Sequence, residues 1–406
     1  MTLYFIQEAV YYRYKNDFYS PRMKYDSYWE RYLNHFEKVN VIARVQDINE
    51  LPKNYNLVSG PKVSFLSLPF YNGALGFYKK RSIIKEIILQ NINKNAAYVI
   101  RIPGPIGNLA AKILNKNKIK FAVEVVGDPY EVAKFLKLPP IVKFFLKSYS
   151  LKSMQAVVSK AEAALYVTEK TLQKRYPATN AKITASASNV IIKESDIIEC
   201  HNRLRNTDEI IARFKDIHQK SIRIGVLGML YPIKSPLEIV EAVNGVLKQG
   251  FNVELYFAGD GYLKSATEQK AKELNIQKRV KCLGSLASGK EVFDFLDSLD
   301  LYIQFSKTEG IPRSLLEAMA RACPVISSNV GGIPEFVSEE FLVQSGDTLE
   351  LSNKIIDVLS NAETYQLNIK NSHKSVQNFT EEKLKKKRFE YYQKVKNILQ
   401  TTQSNE

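Results

Sequence analysis

Residues 300–335, DLYIQFSKTEGIPRSLLEAMARACPVISSNVGGIPE, decide the fold. Residues 301–305 form an apolar run of strand length. A loop follows and ends at Gly310. Pro312 then suits the first turn of a helix, where a missing N–H costs nothing. Leu315, Leu316 and Met319 give that helix an apolar stripe, and Pro324 marks its stop. Residues 325–328 are a second strand, closed by the turn Gly331-Gly332. Such a βαβ unit leaves a helix N-terminus at the carboxyl end of a parallel strand, where free N–H groups and the helix dipole attract phosphate. Glu309 stands just before the helix and Glu317 in its second turn. Helical side chains lean toward the N-terminus, so Glu317 points at whatever that end holds. Carboxylates beside a phosphate site are unfavourable unless they grip something uncharged, such as sugar hydroxyls. The plainer alternative is a solvated helix face with an N-terminal Glu favoured by the dipole. Pattern alone leaves the two open.

Glu309 and Glu317, with seven residues between them in EGIPRSLLE, followed by PVISSNVGGIPE, resemble the signature of the GT4 family of retaining glycosyltransferases. The match is close over the last half of the chain and loose over the first. It implies an α/β chain of GT-B fold: two Rossmann-like, doubly wound domains facing across a cleft. It also implies that Glu317 holds a donor ribose and that Glu309 lies against the donor sugar. Backbone N–H groups over Gly310, Ile311, Pro312 (which has none to give), Arg313 and Ser314 would hold sugar and phosphates. In such enzymes a lysine after the first strand of this domain reaches the diphosphate. Residues 221–230, SIRIGVLGML, are that strand, ending at Gly228, and Lys234 follows in YPIKSP. Met229 stands where an arginine often helps, so one cation is missing and Arg313 is the remaining candidate. Gly259 and Gly261, in GDG after the next strand, let backbone approach ligand. Ser285 and Leu286 occupy the place where family members hold the base. Gly331-Gly332 would close over phosphate or serve as a plain turn.

The chain has 406 residues, normal for two domains, and a 45% hydrophobic fraction sufficient for real cores. No run of 18 apolar residues suggests a transmembrane helix, and the first residues lack a secretory pattern. Three scattered cysteines and four unclustered histidines indicate neither a disulfide framework nor a zinc site, and fit a reducing cytosol. The net charge of +16 is uneven: residues 51–160 hold 18 Lys+Arg against 4 Asp+Glu. Nucleic acid or anionic membrane is the usual partner of such a region. No nucleic-acid module is recognisable and aromatics do not interleave with the cations, so no nucleic acid is expected. An anionic lipid surface is the favoured partner. Residues 134–153, KFLKLPPIVKFFLKSYSLKS, are its contact candidate, a basic amphipathic segment of the kind that lies in a bilayer interface. A helix packed on the sheet with its lysines in water is the alternative.

In the first half, residues 3–6 suggest the first strand, and residues 8–15 take the place of the glycine-rich loop that many family members carry. Tyr28, Tyr32 and Phe36 share a helical face; packing is favoured over an acceptor-sugar site. Strands are expected at 39–45, 62–68, 97–102, 121–126, 155–158 and 164–167, with helices at 79–91 and 106–114. Asp128 follows the strand at 121–126, near where related enzymes place a histidine on the donor sugar. It either contacts a sugar hydroxyl, as a third catalytic candidate beside Glu309 and Lys234, or caps the next turn. The expected domains are 1–200, binding acceptor, and 201–380, binding nucleotide sugar, with a helix and tail at 381–406. In this family that last helix crosses back to the first domain.

The sum is a cytoplasmic, membrane-peripheral retaining transferase with no cofactor and no metal. It would take a nucleotide-diphosphate sugar, expected to be UDP-linked, and a glycan or lipid-linked acceptor of capsule, exopolysaccharide or O-antigen assembly. A non-catalytic sugar-nucleotide or polysaccharide-binding subunit and a sugar-nucleotide 2-epimerase are the alternatives.

Overall fold

A computed structural model describes residues 1–400 apart from Arg22, Lys137 and the side chain of Asn202. The chain divides into two compact units: Met1–Asn189 with the residues from Lys385 on, and Val190–Leu384.

The first unit is built on β1 (Thr2–Tyr14), β2 (Asp17–Ser20), β3 (Lys38–Asp47), β4 (Asn56–Leu57), β5 (Val63–Pro69), β6 (Ala97–Ile102), β7 (Ala122–Val125), β8 (Ala163–Tyr166) and β9 (Ile183–Ser186). Seven of these are parallel in the order β5-β3-β1-β6-β7-β8-β9; β2 adds antiparallel to the far stretch of β1, and β4 adds antiparallel to β2. The expected loop at 8–15 does not exist. β1 shifts register between Ile6 and Val10 and then continues to Tyr14, because Val10, Tyr11 and Tyr12 are strong strand formers. It turns at Lys15, which takes a left-handed φ of 55°, into β2. Residues 155–158, expected as a strand, are the end of the helix Pro140–Val158. A short apolar run reads as either, and here Met154, Val157 and Val158 are the helix face turned to the core. The helix expected at 79–91 starts earlier, Gly73–Gln90. The tyrosine-rich helix Tyr25–Leu33 packs as core: Trp29 and Tyr32 are fully buried, and the Trp29 indole donates to the Val58 carbonyl at 3.0 Å.

Helix Glu381–Gln400 hands the chain back to the first unit at Lys385. Tyr392 from this helix and Tyr32 both donate to the buried Glu124 carboxylate, which Arg101 pairs at 2.8 Å. Burial pushes that carboxyl up, but Arg101 and the two hydroxyls outweigh it and hold it below its ordinary value.

The second unit has six parallel strands: β10 (Ile222–Leu227), β11 (Val253–Ala258), β12 (Val280–Gly284), β13 (Leu301–Gln304), β14 (Val325–Ser328) and β15 (Leu342–Val343). Their order is β12-β11-β10-β13-β14-β15. Strand numbering reverses between β10 and β13, and a ligand crevice forms outside the carboxyl ends at such a point. β13 and β14 are buried along their whole length, as a parallel sheet covered on both faces requires. Residues 190–200, expected above in the first domain, group with this second unit. Ile192 N–H donates to the Phe379 carbonyl at 3.0 Å and Ile198 N–H to that of Ala320 at 3.0 Å.

Candidate functional site

The carboxyl ends of β10 and β13 carry the site. Gly228, Met229, Leu230, Lys234, Gln304 and Phe305 line one cavity there. Pro232–Lys234 forms a single tight turn after β10, fastened from the loop after β13 by the Lys307 N–H, which donates to the Ile233 carbonyl at 2.8 Å. That turn delivers the Lys234 ammonium to the Glu309 carboxylate, with which it makes a close ion pair.

Glu309 is held from one side only. Its Oε1 accepts from Lys234, from Ser306 Oγ at 2.7 Å and from Gln304 Nε2 at 3.0 Å. Its Oε2 has no partner among the described residues. A deeper layer fixes Gln304: Tyr302 OH donates to its Oε1 at 2.8 Å and Ser314 Oγ at 3.1 Å. Ser328 Oγ and Ser345 Oγ pin the Ser306 carbonyl at 2.6 and 3.1 Å. Burial pushes the Tyr302 phenol well up, and the charges of Glu309 and Glu317 add to this, so it remains a donor. Sequence reading missed Tyr302, Gln304 and Ser306. The available signal was Gln304, an amide inside the apolar run LYIQF, since a buried amide requires partners.

The loop after Glu309 leads into helix Arg313–Ala320, with Pro312 at the N-cap rather than in the first turn. Gly310 is exposed, and Arg313 is two-thirds exposed. Glu317 is half-buried in the second turn, with Arg313 Nε 3.2 Å from its carboxylate. Arg313 is thus paired with Glu317, as Lys234 is with Glu309. Burial raises the Glu317 carboxyl above its ordinary range; Arg313 pulls it down and Asp196 pushes it up.

Three glycines let neighbouring loops touch. Gly331, at φ +57°, passes so near Glu309 that a β-carbon would sit 1.7 Å from the Glu309 carbonyl oxygen. Gly259, at φ +150°, faces the Gly228 carbonyl in the same way, at 1.9 Å. Gly261 packs likewise on Leu230. These glycines close the floor of the site. Ser285 and Leu286 stand beyond β12, two strands from β10, outside the Glu309 network.

Asp128 has the opposite character. It caps helix Pro129–Lys134, accepting from Tyr130 N–H at 3.1 Å and Glu131 N–H at 3.2 Å. Tyr176 OH donates to the same oxygen at 2.6 Å, and Arg175 pairs the other. Capping accounts for the two backbone bonds, and Tyr176 and Arg175 take up the rest of the carboxylate, so its surroundings favour the capping alternative over a contact with a sugar hydroxyl. The first unit's own switch point, between β1 and β6, is filled in a similar way. Glu8, at the β1 register shift, accepts from Tyr71 OH and from the Ile106 N–H at 3.1 Å. The start of helix Pro105–Lys116 thus takes up a carboxylate of the chain itself, which explains physically why no glycine-rich phosphate loop is needed there.

Comparison with known proteins agrees with this division. Residues 221–361 match the family model "Glycosyl transferases group 1". Protein CapJ of Staphylococcus aureus is 28% identical over 393 residues, covering 95% of this chain and 93% of that one. The Escherichia coli UDP-Gal:alpha-D-GlcNAc-diphosphoundecaprenol alpha-1,3-galactosyltransferase is 26% identical over 38% of this chain and 40% of its own length. The crystal structure of Anabaena Alr3699/HepE in complex with UDP-glucose superposes with a TM-score of 0.57 over the whole of both chains at 15% identity, a likeness of fold. The chain is thus an α/β protein of GT-B fold whose second unit matches the group 1 glycosyl transferase model over residues 221–361.

Proposed function

We propose that this protein is a retaining glycosyltransferase. It moves a sugar from a nucleotide-diphosphate donor, UDP-linked, to a glycan or lipid-linked acceptor in cell-surface polysaccharide assembly. One observation carries the reading: Glu309 is braced on Oε1 by Lys234, Ser306 and Gln304 while Oε2 has no partner among the described residues, at the switch point of a doubly wound sheet. The UDP-sugar and lipid-diphosphate acceptor in the name of the E. coli relative support the donor and acceptor classes.

In this reading Lys234 turns from Glu309 to the donor diphosphate and, with the N–H groups of residues 310, 311, 313 and 314, stabilises charge that grows on the leaving group. Glu309 Oε2 takes hydroxyls of the donor sugar, and Glu317 takes the ribose. No metal or cofactor enters, and the leaving phosphate itself assists the acceptor hydroxyl. The chain works at the cytoplasmic face of a membrane as a peripheral protein. No helix among the described residues is long and apolar enough to cross one.

A second reading, a non-catalytic sugar-nucleotide-binding subunit, rests on Met229, whose exposed thioether occupies the place of a cation. A panel of UDP- and GDP-sugars, assayed for donor hydrolysis and transfer, separates the two. Turnover of one UDP-sugar is the expected result. Tight binding with no turnover of any donor overturns the enzyme reading.

A further inference from the structure

The first unit has a groove of about 530 Å³ between helices Gly73–Gln90, Pro105–Lys116 and Pro140–Val158. Phe77, Tyr78, Leu109 and Tyr149 give it an apolar wall, and Arg81 and Lys112 stand in that wall. Phe77, Tyr78 and Arg81 fall on one helix face by their spacing. Neither cation has an acidic partner among the described residues. The polar side chains of Asn108 and Ser153, also in the wall, are tied to each other at 2.9 Å, so they offer little to a sugar or a base.

The same helices expose large apolar side chains: Leu75 at 79%, Ile141 at 72%, Phe144 at 65% and Phe145 at 66%. On Pro140–Val158 the pattern of a solvated helix is reversed. The phenylalanines stand out, while Lys143 and Lys147 are half-buried, Lys147 lying 5.1 Å from the centre of the Tyr130 ring. An exposed apolar patch set in a strongly cationic region suits an interface of hydrocarbon and anionic headgroups.

We propose that this face docks on an anionic bilayer and that the groove takes one lipid from it, the lipid phosphate on Arg81 and Lys112 and its chain on Phe77, Tyr78, Leu109 and Tyr149. Charge complementarity selects the occupant: residues 51–160 carry 18 cationic against 4 acidic side chains. The proposal rests on the membrane part of the reading above and not on the donor chemistry.

The test is flotation of the full chain with vesicles of phosphatidylcholine alone and with about one third phosphatidylglycerol. The wild type should bind the second at least about tenfold better. Arg81→Gln with Lys112→Gln should lose about tenfold, whereas Lys215→Gln with Lys248→Gln, an equal charge change in the second unit, should keep binding. Native mass spectrometry with phosphatidylglycerol should show one bound lipid, absent from the Arg81/Lys112 variant. Tyr78→Ser, at a side chain 75% exposed, removes apolar wall without touching the core and should also weaken flotation. Wild-type binding indifferent to lipid charge overturns the membrane reading and the groove together. Charge-dependent binding that the Arg81/Lys112 pair does not alter overturns the groove alone. Donor hydrolysis, assayed in parallel without vesicles, reports on the transferase reading independently.

Discussion

Glu309 and Asp128 both follow a parallel strand at its carboxyl end, and their surroundings differ in one respect. Both oxygens of Asp128 are taken: two backbone N–H groups and a tyrosine hydroxyl on one, an arginine on the other. Glu309 has three donors converging on Oε1 and, among the described residues, none on Oε2. A saturated carboxylate holds structure together, and removing it leaves donors unpaired. A carboxylate braced on one oxygen is held in place for something else to meet the other. Glu8 follows the Asp128 pattern and Glu317 lies between the two, paired with a well-exposed arginine on an otherwise half-buried carboxylate.

The comparison breaks first at Glu309. Glu309→Ala should reduce donor turnover about a thousandfold, as loss of a group acting on developing charge does, and should also lower the melting temperature, because Lys234, Ser306 and Gln304 lose their acceptor. Turnover within a few-fold of wild type ends the case for the site. Glu317→Gln should weaken UDP-sugar binding about tenfold in calorimetry, since a charged hydrogen-bond acceptor becomes neutral. The same change should raise the melting temperature at neutral pH. The sign follows from the raised carboxyl: its folded value lies above the unfolded one, so its contribution to stability is present below the unfolded pKa and is lost as pH rises through the folded pKa. The variant's advantage should therefore vanish in acid. A melting curve unchanged at both ends of the pH range contradicts that assignment.

Asp128→Ala sharpens the contrast from the other side. It should cost about 2 kcal/mol by the loss of a helix cap and a partly buried ion pair, read by denaturant melts, with donor hydrolysis within about threefold of wild type. Strong loss of hydrolysis at unchanged stability would place Asp128 with Glu309 after all. The smallest effect is Ser235→Gly. Ser235 is fully buried at φ +51°, and its hydroxyl has no partner among the described residues. Relief of that backbone and that orphan oxygen should stabilise the fold by about 1 kcal/mol.

Sequence alone determined that the second unit is a parallel sheet with a ligand crevice. The apolar strand runs, the proline before the helix and the glycine turns are local signals, and Glu309, Lys234 and Glu317 stood out beside them. It also located the cationic region, while the return of the last helix was implied by the resemblance to the GT4 family. Tertiary structure decided three matters. β1 runs on through its register shift because β2 and β3 supply partners, which no local pattern states. Residues 155–158 are helical because that face meets the core. Asp128 is a cap because Tyr176 and Arg175, nearly fifty residues along the chain, converge on it. Periodicity and turn chemistry act between neighbours in the chain and so are written in the sequence. Whether a carboxylate is saturated depends on donors brought from far along it, and only the folded chain shows which oxygen is left free.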